Sequence, residues 1–327
     1  MESLAAAPHR RGAGIAAGAG VLLALVAAPY LLAGGLIELE VVVAQPLLRY
    51  GLAGLAALLL VLALRRRSPA PAVLCAAALL FLLGEGLHTL RLRPSPEPQP
   101  GDLRVLSHNL GSAPPGSLAD WLRANRPELV LLQEVYQPQL AGWQELAGEL
   151  GYATHFEVLR ADAGLGNLIM SQAPLTPLPP VTAASWGRRV RYVARARITW
   201  QGQPVEVFSV HLESLPILAN QRLLFGSSGL RRQQAEILAA AVAQVPHPVI
   251  LAGDLNAAPL YRSVAPLRQV LDDAWDEAGW GPGFTYSRSL PLTRIDALLH
   301  RGCRAVASRV LTLTGSDHRA LYTALRL

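Results

Sequence analysis

The chain has 327 residues, a formal net charge of +6 at pH 7, only 16% charged residues and a mean hydropathy of +0.29. That length allows one large domain or two ordinary ones, and that hydropathy is out of keeping with a wholly soluble enzyme. No lysine occurs, so the positive charge is all arginine, and the two cysteines, Cys75 and Cys303, are too few and too far apart for a disulfide framework.

The apolar excess lies at the N-terminus. Residues 12–37 carry no charge, 41–64 carry only Arg49, and 68–90 carry Glu85 and His88 near their end. A bilayer core is crossed by about 20 apolar residues in helix, so these stretches predict three transmembrane helices. A cleavable signal peptide fits poorly, because the first segment is too long and two more follow. The "GAGIAAG" there has the glycine spacing of a dinucleotide loop, but no strand precedes it. Small residues packing a membrane helix explain it better. Glu85 and His88 sit where an intramembrane site or simple interfacial exposure would both put them.

Arginine sets the orientation. Arg10 and Arg11 precede the first span, and Arg65, Arg66 and Arg67 separate the second from the third; Glu38 and Glu40 lie in the loop between the first two. The positive-inside rule then puts the N-terminus and the Arg65–Arg67 loop in the cytoplasm. Three crossings place everything after Arg91 outside, although Arg49, Arg91 and Arg93 count against that arrangement. The expectation is a multi-pass anchor over residues 1–92 in the cell membrane. Next comes "RPSPEPQPG", a proline-rich linker over 93–102 that reaches about 30 Å in polyproline geometry. An extracytoplasmic domain follows over 103–327.

Within that domain, "LRVLSHNL" (103–110) reads as a strand. "SLADWLRANRP" (117–127) reads as a helix with Ser117 as N-cap and Asp120 in the capping-box position. Strands follow at 128–135 and 166–171. A hairpin turns at Gln201-Gly202, with Arg189, Arg191, Arg195 and Arg197 on one face of its first arm. A helix over 231–245 leads into the strand "VILAGD" (249–254), and "TRIDALLH" (293–300) and "HRALYTALRL" (318–327) close the chain. Apolar strands interleaved with helices predict an α/β domain with covered sheets.

Nearly every apolar strand here ends in a polar group of catalytic type. "VLSHN" ends at Asn109, "LVLLQE" at Glu134, "VFSVH" at His211 and "VILAGDLN" at Asp254 and Asn256; "RID" brings Asp296, and "GSDH" brings Asp317 and His318. One such ending is a turn. Repeated endings predict a shared rim where strand ends converge, as ligand sites of layered α/β folds do. Carboxylates and amides without a cysteine cluster suit a hard cation such as Mg²⁺ or Mn²⁺. A histidine beside an acid suits a base held in one orientation. No GxSxG elbow, HExxH helix or P-loop lysine is present, so serine hydrolase, zincin and NTPase chemistry have no support. Each residue also has a plainer reading. Asn109 could cap a strand end, His211 could be a satisfied core histidine, Asp296 could pair with Arg294, and Asp317 could belong to a turn. The arginine face could be solvated surface.

The combination "SHNL", "LLQE", "VHLES", "GDLNAAP", "RIDALL" and "GSDHRAL", in this order, resembles the endonuclease/exonuclease/phosphatase superfamily, the fold of deoxyribonuclease I, over residues 103–327. The resemblance implies a four-layer α/β/β/α sandwich that hydrolyses phosphodiesters or phosphomonoesters with Mg²⁺. It implies Glu134 as principal metal ligand, helped by Asn109 and Asp317, and His318, oriented by Asp296, as general base toward water. It gives Asp254 the task of positioning or activating the nucleophile. Asn256 and His211 would bind the phosphoryl oxygens, with His211 also placed to assist the leaving group. Asn167 stands where relatives carry a polar group, and with Arg189 and Arg191 it completes the expected substrate contacts.

Helices followed by such a domain also resemble bacterial membrane-anchored members, the teicoplanin-resistance group among them. The histidine of "VHLES" is similar to the nuclease and sphingomyelinase branches and departs from abasic-site endonucleases. The expected substrate is a lipid phosphoester or lipid-linked pyrophosphate, with no obligate protein partner. The alternatives are a tethered nuclease acting on DNA or RNA and a non-catalytic binding module on the same fold.

Overall fold

In the computed structural model of the protein, the described residues are 17–21, 44–89, 96–160, 164–181, 193–214, 226–258, 261–291 and 293–327. They belong to two compact units, Met1–Leu90 and Arg91–Leu327.

In the first unit, α1 (Ala44–Arg65) and α2 (Pro69–Thr89) are helices of 22 and 21 residues at the second and third predicted spans. Ser68 N donates to Ala63 O at 2.9 Å and closes α1. Pro69 then opens α2 at a position that needs no N–H donor. The helices meet through small residues, Ala56 with Ala78 and Ala63 with Ala72, which let backbones approach closely. Leu58, Leu64, Val73 and Leu80 point outward and are exposed. Judged on the described residues, no helix is long and apolar enough to cross a membrane; the side chains of 44–50 and 81–89, Glu85 and His88 included, lie outside them. Of the first predicted span only residues 17–21 are described, and they are helical.

The second unit runs β1 (Leu103–Asn109), α3 (Gly116–Asn125), β2 (Leu129–Tyr136), α4 (Leu140–Glu149), β3 (Ala153–Arg160), β4 (Leu165–Ser171) and β5 (Leu175–Val181). It continues with β6 (Val193–Trp200), β7 (Gln203–His211), α5 (Gly226–Ala243), β8 (Val249–Asp254), α6 (Ala265–Arg268) and β9 (Asp272–Asp273). α7 (Ala274–Ala278), β10 (Asp296–Arg301), β11 (Arg304–Leu311) and β12 (Ala320–Arg326) complete it. The strands form two six-stranded sheets, ordered β11-β12-β1-β2-β4-β3 and β5-β6-β7-β8-β10-β9. Both share one pairing pattern: β1 and β2 are parallel and joined through α3, β7 and β8 are parallel and joined through α5, and the other pairs are antiparallel.

Alternation along the strands builds the layers. Leu103, Val105, Leu129, Leu131 and Ile169 of the first sheet face Ala196, Ile198, Val207, Ile250 and Leu298 of the second. Their neighbours Leu106, Val130, Leu132 and Leu168 turn the other way and pack under Leu118 and Leu122 of α3 and Trp143 and Leu146 of α4. Each such residue contributes about 1.5–3 kcal/mol by leaving water. On the far side of the second sheet, Arg301 of β10 donates to Val242 O and Val245 O at the end of α5. The result is an α/β sandwich.

Two sequence expectations change. Ser117 does not cap α3: its Oγ donates back to Pro114 O at 2.7 Å, the helix starts at Gly116 after two prolines, and Asp120 instead pairs with Arg123. No side chain caps the helix; the N–H groups of Ser117, Leu118 and Ala119 donate to the carbonyls of Pro114 and Pro115. The C-terminal half of the linker is also not free. Glu97 pairs with Arg309 at 2.8 Å, and Asp102 accepts from Arg326 at 2.8 Å, so residues from Pro96 onward lie on the domain.

Candidate active site

Parallel pairing puts the C-terminal ends of β1, β2, β7 and β8 at one edge of the sandwich. His211 stands opposite Asp254, which in turn stands opposite Asp296 at the start of β10. At this edge the amide of Asn109 ties the two sheets together. Asn109 Nδ2 donates to Asp254 Oδ2 at 2.9 Å across the sandwich and to Glu134 Oε1 at 3.2 Å within its own sheet. Asn109 Oδ1 accepts from Gly111 N at 3.0 Å.

Glu134 reaches this edge because the alternation of β2 breaks beside it. The pairing with β4 slips between Leu132 and Val135, and Glu134 has φ +55°. Leu132 and Val135 both face the α3/α4 layer, so the extra residue is accommodated by a bulge. A non-glycine residue in the left-handed region costs about 1–2 kcal/mol, which local packing must offset. Gly253 has a related task on β8. Its φ is +145°, and a Cβ there would lie 2.0 Å from Val210 O, so only glycine lets β7 and β8 meet this closely just before Asp254.

Asp254 is the hub. Beyond Asn109, its Oδ2 lies 3.7 Å from both His211 Nε2 and His318 Nε2, and its Oδ1 accepts from Asn256 N at 2.7 Å. His211 Nε2 is also 3.5 Å from Glu134 Oε1. His318 Nδ1 lies 2.9 Å from Asp296 Oδ2, so in the neutral ring Nδ1 keeps the proton and Nε2 is the bare nitrogen that faces Asp254. Thr285 Oγ1 accepts from the backbone N–H groups of Ile295 and Asp296, both at 3.1 Å, and fixes the approach of the acid. Arg294 is occupied elsewhere, with Nη1 on Asp273 at 2.9 Å, so Asp296 is free to serve His318.

Electrostatics follow burial. Desolvation pushes the Asp254 carboxyl up to about 7; His318, the Asn256 N–H and the Asn109 amide pull against it, while Asp296 adds to it. Burial alone would lower His318, but Asp296, Asp254 and Asp317 override it and push the imidazole up to about 10. Imidazole, and not arginine, offsets the anionic charge of the cluster. Among the described residues Glu134, Asp254, Asp296 and Asp317 have no arginine partner, in a chain with 29 basic residues. Asp254, Asp296 and His318 present ligand atoms within 4.8 Å of one another. This oxygen-rich donor set fits a divalent cation.

The edge therefore gathers Asn109, Glu134, His211, Asp254, Asn256, Asp296 and His318. Asp317 is exposed beside them, its Oδ1 3.3 Å from where a Cβ on Gly111 would sit. Asn256 turns its amide to Leu212 O at 2.9 Å. Asn167 stands apart. It is fully buried between the sheets and donates to Ser209 O at 2.7 Å, so it braces β4 against β7 and has no surface for a substrate. Arg189 and Arg191 lie outside the described residues. The same arginine face is consumed further along, where Arg195 and Arg197 both pair with Glu206.

Several contributors escaped the sequence reading. Ser316 Oγ donates to Asn109 O at 2.6 Å and accepts from His318 N at 3.0 Å, joining the first and last strands of one sheet. The ring of Tyr286 lies 5.0 Å from that of His318, and its hydroxyl is raised by burial and by Asp317, Asp254 and Glu134. His108 is buried with neither nitrogen hydrogen-bonded; burial pushes it down to about 4, Asp296 opposing and His318 assisting, so it is neutral. The hydroxyl and aromatic of "GSDH" and "GFTY" were visible, but nothing local says that they turn toward His318.

Comparison with known proteins agrees with this fold. A humanized D. rerio TDP2 carrying 14 mutations is 19% identical, covering 69% of this chain and 100% of its own, with a TM-score of 0.55. An endonuclease/exonuclease/phosphatase family protein from Bacteroides thetaiotaomicron is 17% identical over 70% of this chain and 98% of its own, with a TM-score of 0.55. The human Nocturnin catalytic domain with bound sulfate is 16% identical over 71% of this chain and 99% of its own, with a TM-score of 0.52. Identities of this size establish the fold. No curated protein matches the sequence. The profile of the Endonuclease/Exonuclease/phosphatase family matches residues 106–318, a stretch that runs from just before Asn109 to His318 itself, and the chain therefore belongs to that family.

Proposed function

We propose that the protein is a membrane-anchored, divalent-cation-dependent phosphoester hydrolase. In this reading its site lies outside the cytoplasm and its substrate is a lipid phosphoester or a lipid-linked pyrophosphate. Members of the family are typically metal-dependent hydrolases of phosphoester bonds. The observation that carries the hydrolytic part is the single carboxylate, Asp254, with two imidazoles and an amide aimed at it and no arginine beside it.

Glu134, with Asn109 and Asp317, would hold the cation, which when bound supplies Lewis-acid stabilisation of the phosphoryl oxygens; Mg²⁺ or Mn²⁺ suits such oxygen donors. The chain's own residues do the rest. His318 Nε2 accepts a proton from the attacking water while Asp296 keeps Nδ1–H in place. Asp254 orients that water. As the bond from phosphorus to the leaving oxygen breaks, His211 and Asn256 donate to the oxygens that gain charge. Asn167, Arg189 and Arg191 are not needed for this sequence of events.

The membrane part rests on the apolar stretches 12–37, 41–64 and 68–90, on the outward Leu58, Leu64, Val73 and Leu80, and on the arginines at 10–11 and 65–67. A reporter active only outside the cytoplasm, fused after Leu327, is expected to be active, and a cytoplasmic reporter at the same point silent. The reverse pattern would move the site inside.

Substrate choice follows from tethering. A site held near the bilayer meets lipid head groups at high effective concentration. The nuclease reading has one specific support: a D. rerio TDP2 structure of this fold holds a single-strand DNA product. Full-length protein in lipid is expected to cleave a phospholipid or polyprenyl pyrophosphate much faster than DNA. Efficient cleavage of DNA with the lipids untouched would replace this reading with a tethered nuclease. Inactivity on every phosphoester would favour a binding module.

A further inference from the structure

A second cluster lies at the other end of β10. The strand begins at Asp296, in the active site, and His300 is four residues further, about 13 Å along an extended chain. His300 stands directly opposite Asp272 of β9, so their side chains share a face. The chain then turns straight into α7, which brings Glu277 to the same place. His300 Nε2 lies 3.3 Å from Glu277 Oε2, and ligand atoms of Asp272, Glu277 and His300 all fall within 4.8 Å of one another.

Three features separate this cluster from an ordinary acidic surface. First, His300 is completely buried, yet neither of its ring nitrogens has a hydrogen-bond partner. A buried imidazole without partners costs free energy that a bound ligand would recover. Second, the carboxylates are uncompensated. Among the described residues no arginine pairs with Asp272 or Glu277, whereas the adjacent Asp273 is bound by Arg294 and Arg268 and caps α7 through Trp275 N. Third, the geometry suits shared coordination. The 3.3 Å between His300 Nε2 and Glu277 Oε2 is not a hydrogen bond, because the ring N–H does not point along it. Two ligands about 2.0–2.1 Å from a tetrahedral ion stand about 3.3–3.4 Å apart. Glu277 Oε2 is steadied by Ala305 N at 2.8 Å, the kind of outer contact that orients a ligating carboxylate.

We propose that His300, Glu277 and Asp272 form a second cation site, independent of the active site, for a divalent transition-metal ion such as Zn²⁺. One imidazole nitrogen with two carboxylates selects a borderline ion over Mg²⁺ or Ca²⁺, which prefer oxygen throughout. The exposed carboxylates give the ion its entry, and solvent completes the coordination. Nearby, Cys303 reports the same negative field: burial, then Glu277 and Asp272, push its thiol up to about 12. The ion would clamp β9 and α7 to β10, at the end of the strand away from Asp296. Its expected effect is therefore on stability and not on the hydrolytic step.

The test uses full-length protein in detergent, stripped with chelator and titrated with Zn²⁺ alone. Because His300 is buried, the double variant Asp272→Asn/Glu277→Gln carries the test, and circular dichroism checks its fold. The wild type is expected to bind one more Zn²⁺ than the double variant and to gain unfolding temperature on binding. Glu134→Gln, in the active site, keeps that gain, and the double variant loses it while retaining its activity with Mg²⁺. Equal Zn²⁺ binding by wild type and double variant, or loss of the stability gain in Glu134→Gln, would overturn the assignment. If the double variant does not fold, X-ray absorption of a His211→Ala/His318→Ala variant, whose active-site donor set has lost both imidazoles, with one equivalent of Zn²⁺ decides: a mixed nitrogen and oxygen shell supports the site, and an all-oxygen shell refutes it.

Discussion

Glu134→Gln is expected to lower phosphoester hydrolysis about a thousandfold while leaving the fold intact. The substitution is nearly isosteric. Its amide oxygen can still accept from Asn109 Nδ2, which now donates to Glu134 Oε1 at 3.2 Å, and the φ of +55° is no harder for glutamine than for glutamate. What disappears is the negative charge. A neutral amide holds a hard divalent cation far more weakly than a carboxylate does, so charge developing on the phosphoryl oxygens loses its stabiliser. Turnover measured against Mg²⁺ concentration separates two contributions. Saturating Mg²⁺ that restores part of the rate assigns that part to cation affinity, and the unrestored remainder belongs to the chemical step. A variant with near-native turnover at the wild-type Mg²⁺ requirement would mean that Glu134 does not hold the cation. Thermal unfolding without metal should differ little between the two proteins, which keeps a failure of folding apart from a failure of chemistry.

The conspicuous position of Glu134 illustrates what the sequence made legible. An apolar run that stops at a polar residue is a local pattern, and Asn109, Glu134, His211, Asp254, Asp296 and His318 could be singled out because each borders an apolar run. Their convergence is not local. It depends on β1/β2 and β7/β8 each being parallel, which puts their ends on one edge, and on Asn109 crossing from one sheet to the other. The bulge that aims Glu134 depends on slippage against β4, far along the chain, so strict alternation would have placed its side chain on the helix side. The environment of Asn167 was hidden for the opposite reason. The resemblance to relatives with a polar group there suggested a substrate contact, whereas its strand is interior and its amide donates to Ser209 O.

Elements with weak internal signals were missed for physical reasons. β5 reads "LTPLPPV", and proline cannot donate to a ladder, yet as the edge strand of its sheet it needs donors on one side only. β9 is two residues long and exists through its pairing with β10. The common pairing pattern of the two sheets leaves no trace as a repeat, because the residues differ while the hydrogen bonding is shared. On the arginine face of β6, neither a substrate nor open solvent takes the charges of Arg195 and Arg197: Glu206, directly across from Arg197, pairs with both.

The acid and base of the site make the other large prediction, because His318 and Asp296 should fail together. Asp296→Ala, His318→Ala and the double variant are each expected to lose about a thousandfold or more, and the double loss should be close to either single one. The reason is geometric. Asp296 touches His318 Nδ1 at 2.9 Å and acts on the reaction only through that ring, so removing it after His318 is gone removes nothing further. Losses that multiply would show that Asp296 works independently, for example as a cation ligand together with Asp254.

The pH dependence supplies a readout that a merely structural role would leave unmoved. Burial tends to lower His318, but Asp296 leads the carboxylates that hold it up at about 10 without a cation. A base must be neutral to accept a proton, so the wild type gains activity as pH rises through the imidazole's value. A cation at the site adds positive charge and moves that rise downward, and Mg²⁺-saturated enzyme should therefore become active at lower pH than a pKa near 10 implies. Asp296→Asn removes the anion that most favours the imidazolium. The acidic limb of kcat/KM should move further down in pH while the plateau drops, since the asparagine amide no longer selects the Nδ1–H form. An acidic limb that stays in place, or moves up, would mean that the group titrating in catalysis is not His318.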